Sequence, residues 1–257
     1  MTPKQVDMTN TEAVLREIFD EDLQVKDRFA AHLGAELLSL SEALAACFAL
    51  LPAINEAANR AETMRTAFVA GFVFGVLDDV LTSTKLLVTG KLLASGNLMR
   101  QVLEGMAMAL LCAHDAPLII GKKNVGTKKA QNVVEQYWKA LEADGHYAQG
   151  HHAIKQLDWN KSALHLTDAE IAGFEEARKH YNRFSHAGKL SIAGRVDLEG
   201  VGVAYVGGHF DDAKLDGYRA ELHSRIDLCR MLPGFMRRML ASIARGKDAS
   251  PAPMGAQ

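Results

Sequence analysis

Neither sign of charge dominates this 257-residue chain. Its formal net charge is −2, from 29 basic and 31 acidic side chains. That balance supplies no global basic excess for wrapping duplex nucleic acid and no acidic excess for storing cations. It leaves room for a local basic groove. Cysteine is scarce as well. Cys47, Cys112 and Cys229 are odd in number, far apart and set in apolar helical contexts. They form neither a disulfide framework nor a zinc spacing, so each reads as a small buried hydrophobe. The N-terminus lacks the apolar core of a signal peptide. The two most apolar runs, 43–54 and 66–77, are 12 residues each, short of the roughly 18–20 that span a bilayer. These absences predict a globular protein of reducing cytoplasm, with no membrane partner and no duplex-DNA partner.

Metal and phosphate motifs are missing too. Residues 121–126 (GKKNVG) lack the Gly-Lys-Ser/Thr ending of a phosphate loop. With Lys122, Lys123, Lys128 and Lys129 they form the densest basic patch. It reads as a solvated charged loop, with RNA as the alternative partner. Asp78-Asp79 has no second Asp-rich motif and reads as a polar face or local cap. His146, His151 and His152 lie in a polar stretch. Adjacent helical side chains diverge, whereas zinc needs three or four convergent ligands. No metal and no cofactor is expected.

What is present is helical. Hydrophobic residues make up 48% and charged residues 23%, an ordinary globular balance. Thr9-Asn10-Thr11-Glu12 fits a capping box, and Thr167-Asp168-Ala169-Glu170 fits a second. Helical patterning follows over 25–59, broken at Pro52, then over 61–88 with Gly90 as a C-terminal cap. The next helix covers 92–113. Its stretch 105–113 is apolar on every side, which marks a buried central helix. Residues 114–126 read as a loop, followed by a helix bearing Val133, Val134, Tyr137, Trp138 and Leu141. A short helix is expected around 151–157, and a longer one from Thr167 to about His186. Then the period changes: 190–196 and 201–206 are short and β-prone, and read as a small hairpin. The last helix runs from about 212 to 245, with a kink expected at Pro233. The expected fold is therefore mainly α: a multi-helix bundle with one small β-hairpin, at about 190–206, before the last long helix. It forms a single domain over 9–246, between a flexible tail at 1–8 and a disordered tail at 247–257.

Two places carry chemistry. Arg100 and Glu104 are one turn apart on the apolar central helix, so they pair with each other or with a neighbour. On the 167–186 helix, stepping about 100° per residue puts Arg178 in a core-facing stripe with Ile171, Phe174, Tyr181 and Ser185. Asn182 and His186 flank that stripe, and Arg183 lies opposite. An inward arginine wants a carboxylate, which predicts a polar core cluster of Arg100, Glu104, Arg178 and Tyr181.

Residues 93–104 (LASGNLMRQVLE) resemble a helix of small residues followed by Arg-x-x-x-Glu in uncharacterised bacterial helical proteins. Residues 181–186 (YNRFSH) resemble their Tyr…Ser…His segment. Together they resemble distant members of the HEPN superfamily, which includes abortive-infection proteins. The resemblance covers roughly residues 60–245. It implies a helical bundle, often a homodimer, and in active members a metal-independent ribonuclease with an arginine four to six residues ahead of a histidine. There an arginine would stabilise phosphoryl charge and a histidine would move the proton. In this chain seven residues separate Arg178 from His186, and two separate Arg183 from His186; neither spacing matches. The leading expectation is a helical interaction or defence-associated protein without a catalytic site. The alternatives are a ribonuclease using His186 with Arg178 or Arg183, and a small-ligand binder with a polar pocket built from Arg100, Glu104, Tyr181, Asn182 and Ser185.

Overall fold

Asn10, not Thr9, caps the first helix. Its Oδ1 accepts from the amides of Glu12 and Ala13 at 2.9 and 3.2 Å, satisfying two of the orphan donors of a helix start. The computed structural model describes residues 9–125, 129–186, 188–196, 198 and 204–245. α1 spans Thr11–Phe19, α2 Leu23–Phe48 and α3 Leu51–Ala61. Pro52 lies in the first turn of α3, where its missing amide hydrogen breaks no bond. α4 (Met64–Val88) ends at Gly90. The amide of Lys91 donates to Leu86 O and that of Gly90 to Leu87 O, both at 2.9 Å, as a Schellman cap requires. Gly90 has φ +76°, and a Cβ there would strike the His209 backbone.

α5 (Leu92–Ala113) folds back on α4 and is the central helix. Every residue from Met106 to Cys112 is buried, as its all-round apolar pattern predicts. α7 (Gly150–Trp159) and α8 (Asp168–Ser185) pack on α5. The Thr167–Glu170 capping box is formed. The last helix, α10 (Leu215–Arg245), runs through Pro233 and packs on α2, α3 and α4. Buried Arg65 holds the far end together. Its guanidinium donates to Ala113 O at 3.1 Å and Ser242 O at 3.3 Å, so one cation serves the carboxyl-terminal ends of two helices.

The fold is mainly α, with one two-stranded hairpin before the last long helix, but the hairpin is elsewhere than expected. β1 (Leu118–Val125) pairs antiparallel with β2 (Lys129–Glu135). Thus 114–126 is not a plain loop, and Val133-Val134 belong to a strand. Only the short α6 (Tyr137–Glu142) follows as helix. The lysines and Asn124 have weak β propensity. The pairing is set by what lies beneath. Leu118 and Ile120 are buried. Asn160, just past the end of α7, exchanges hydrogen bonds with the Ile119 backbone, and Gln156 of α7 donates to Ile120 O where the register shifts. Of the hairpin expected at 190–206, the described residues show one antiparallel bridge, Val196 to Ala204, while Lys189–Ala193 forms the short helix α9. The remainder of that expected hairpin, at 197 and 199–203, lies outside the described residues, as do the expected tails.

Two segments are longer and more apolar than the 12-residue runs suggest. Windows within residues 11–61 and within Met64–Val88 reach mean hydropathies of 1.9 and 1.5, and both pass as membrane spans by length and composition. Only 28% and 39% of these windows is buried inside the fold.

Candidate functional site

The polar side chains of α5 follow from its period. Asn97, Arg100 and Glu104 are three and four residues apart, so they share one face of a helix whose other faces are buried. α8 meets that face at Asn97, where Ser185 Oγ donates to Oδ1 at 2.8 Å. One turn on, Arg100 Nε donates to Glu104 Oε1 at 2.9 Å. This is the expected pair, and it is half-buried rather than fully enclosed. The first turn of α7 then closes on Glu104. A Cβ on Gly150 would lie 2.9 Å from Glu104 Oε2, so glycine there lets the positive end of a helix approach the carboxylate.

Glu104 also faces a cleft of about 190 Å³. Phe72, Val76 and Met108 form apolar walls, Gly75 and Gly105 keep it open between α4 and α5, and Asp79 and Gln101 add polar groups. Burial, then the charge of Asp78, raises the Asp79 carboxyl above its ordinary value. No hydrogen bond or ion pair holds Asp79 among the described residues. The Asp78-Asp79 pair reads from sequence as a polar face or local cap; in the structure Asp79 shares a cleft with Glu104. A wider, more open groove of about 740 Å³ lies between α3 and α4, with Glu62 its one charged lining residue. Its walls bring no second ionisable group to face Glu62.

The predicted four-residue cluster divides in three, with Arg100 and Glu104 alone staying together. Arg178 bonds Glu175, one turn back on its own helix, at 2.5 Å and stays 37% exposed. Its long side chain reaches solvent and a local carboxylate before it reaches Glu104. Tyr181 is buried, but beside Glu221 and Arg225 of α10 rather than Arg100. Asn182 is half-buried, and Arg183 and His186 are exposed. No hydrogen bond or ion pair joins Arg178, Arg183 and His186 among the described residues.

The buried ionic centre is Arg225, fully enclosed. It donates to Glu221 Oε2 at 2.8 Å and to the hydroxyls of Ser83 and Ser95 at 2.9 and 2.7 Å. Those serines also bond each other's carbonyls, Ser83 Oγ to Ser95 O and Ser95 Oγ to Ser83 O, stitching α4 to α5. His180 reaches in from the surface to Glu221 Oε1 at 2.8 Å. Burial alone would push the Glu221 carboxyl up. The His180 hydrogen bond and the Arg225 charge outweigh it and hold the group below its ordinary value. A signal for this network was present: Arg225 sits in the stripe Tyr218, Leu222, Arg225, Cys229, Leu232, at helical core spacing.

The three histidines do meet. The His151 and His152 rings lie 3.9 Å apart and those of His146 and His152 5.6 Å. No group able to hold a metal ion occurs among the described residues. On the hairpin, Lys122 and Lys123 are exposed. Lys122 and Lys155 place their ammonium groups 5.0 and 5.3 Å from the Trp159 ring. Lys128 and the Lys129 side chain lie outside the described residues. No family model, curated protein or solved structure matches the chain.

Proposed function

We propose that the protein is a helical binding protein without a catalytic site, and that it takes a small organic cation in the α4–α5–α7 cleft. The observation that carries this reading is Asp79: an unpaired carboxylate in the same cleft as Glu104. With Asp78 beside it and Arg100 on Glu104, the cleft keeps an excess of negative charge. An ammonium group between Asp79 and Glu104 would meet that charge, and a short alkyl chain would lie against Phe72, Val76 and Met108. Pockets for drug-sized ligands run roughly 300–1,000 Å³; a cleft of about 190 Å³ fits a ligand of a few heavy atoms. The ribonuclease alternative gains nothing from the geometry, because its three candidate residues are not assembled.

Titration calorimetry with butylamine and 1,4-diaminobutane tests the reading, with butanol and butyrate as neutral and anionic controls. The amines are expected to bind and the controls not, and Asp79→Asn is expected to abolish binding while the fold is kept. If neither amine binds, or if butanol binds as well as butylamine, the reading is wrong.

A further inference from the structure

The hairpin has one closed edge and one open edge. On the outer side of β1, Asn160 accepts from the Ile119 amide and donates to Ile119 O, both at 2.9 Å, and Gln156 donates to Ile120 O. Ile119 faces Val134 in the ladder. Because Ile119 turns both backbone groups away from β2, antiparallel geometry turns those of Val134 away from β1. Alternation along β2 then turns the groups of Asn132 and Ala130 outward as well. All three residues are exposed. Among the described residues, no hydrogen bond outside the β1 ladder reaches the backbone of residues 130–135. Natural edges are guarded by charge, proline or a bulge. Residues 130–134 (AQNVV) hold no charge and no proline, and the extra residue at the register shift lies in β1.

We propose that β2 pairs with β2 of a second copy, antiparallel and centred on Asn132, to make a four-stranded sheet. The open groups are amides and carbonyls in extended register, so another strand edge matches them and a helix face does not. Each copy supplies one such edge, and a two-fold axis pairs it with itself antiparallel. Centring on Asn132 overlaps all seven residues of β2 and forms about six backbone hydrogen bonds. Asn132 then faces its own copy, and its side-chain amide both donates and accepts. Ala130 faces Val134, which is 56% exposed in the single chain. The surrounding charges do not oppose the pairing. The two Glu135 residues lie about 20 Å apart along the strands. Lys122 and Lys123, on β1 opposite Asn132 and Gln131, lie three strand spacings, about 14 Å or more, from their counterparts, beyond a Debye length of about 8 Å. The contact is smaller than the roughly 1,200–2,000 Å² of stable complexes, so a dissociation constant of about 10 µM to 1 mM is expected.

Sedimentation of the full chain up to about 1 mM is expected to show a monomer–dimer equilibrium. Asn132→Pro removes an outward amide and leaves the β1 ladder whole. It is expected to weaken the dimer roughly tenfold or more, because two central hydrogen bonds are lost. Asn132→Cys lies on the two-fold axis with Cα atoms about 5.5 Å apart. It should give a disulfide-linked dimer with diamide, which takes up the two thiol hydrogens. Lys123→Cys, exposed on β1, should not. The native thiols at Cys47, Cys112 and Cys229 are buried and give no background. A monomer at every concentration overturns the proposal. So does a dimer indifferent to Asn132→Pro, or a Lys123→Cys variant that cross-links as readily as Asn132→Cys.

Discussion

His180 Nε2 lies 2.8 Å from Glu221 Oε1, and through that contact the surface of α8 is tied to a fully buried guanidinium. Glu221 and Arg225 are one turn apart on α10, and Ser83 and Ser95 accept the remaining Arg225 contacts from α4 and α5. The network therefore fixes three long helices against one another.

Removing one member should cost far more than removing both. Arg225→Met leaves Glu221 buried without its cation, and a loss of about 3–5 kcal/mol is expected. Arg225→Met with Glu221→Leu should recover much of it, since a well-packed apolar pair avoids the uncompensated charge. Urea denaturation of the two variants measures the difference. Equal losses would show that the buried ion pair is not what Arg225 contributes.

The same pair sets an acid limit. The Glu221 carboxyl is held below its ordinary value in the fold, so the unfolded chain takes up its proton first as pH falls. The stabilisation is complete above the unfolded value near 4.3 and is lost as pH drops through the folded one. Denaturation midpoints measured below pH 5 should fall steeply in the parent and less steeply in Glu221→Gln.

A second titration acts at milder pH. Burial and the charges of His151, His146 and Lys155 hold the His152 imidazole below its ordinary value. From about pH 6.5 downward the unfolded chain protonates at this position before the folded one, so stability declines. The nuclear magnetic resonance titration of His152 should have its midpoint below that of a free histidine, and His152→Gln should remove this part of the decline.

Two glycines should respond in opposite directions to alanine. Gly90→Ala places a Cβ against the His209 carbonyl at φ +76°, and a loss of more than about 1 kcal/mol is expected. Gly71→Ala adds a methyl group to an open helix face and should gain about 0.5–1 kcal/mol. Thermal unfolding of the two variants at low protein concentration separates them.

Amine binding should depend on pH through Asp79. Its carboxyl is raised above its ordinary value, so it protonates earlier on acidification than a free aspartate. Butylamine affinity is expected to fall on acidification, beginning at a higher pH than protonation of a free aspartate (about 3.9) would give. A flat profile over pH 4–7 would remove Asp79 from the contact.

The sequence by itself determined what is decided within one or two turns of chain. The bounds of α5 and the Thr167–Glu170 cap were legible because each depends on neighbouring residues. So were the break near Pro52, the stop at Gly90 and the Arg100–Glu104 pair. The tertiary structure decided the rest. The lysine-rich β1 is a strand because Asn160 and Gln156, some forty residues away, take up its backbone groups. Arg178 turned to its own Glu175, while Arg225 found Glu221, Ser83 and Ser95, because burying a charge depends on partners that three different helices bring together. Asp79 looked like an ordinary helix-surface acid until α5 and α7 enclosed a cleft beside it. Local hydrogen bonds and periodicity can be read along a chain, whereas burial and the pairing of distant polar groups exist only once the helices have packed.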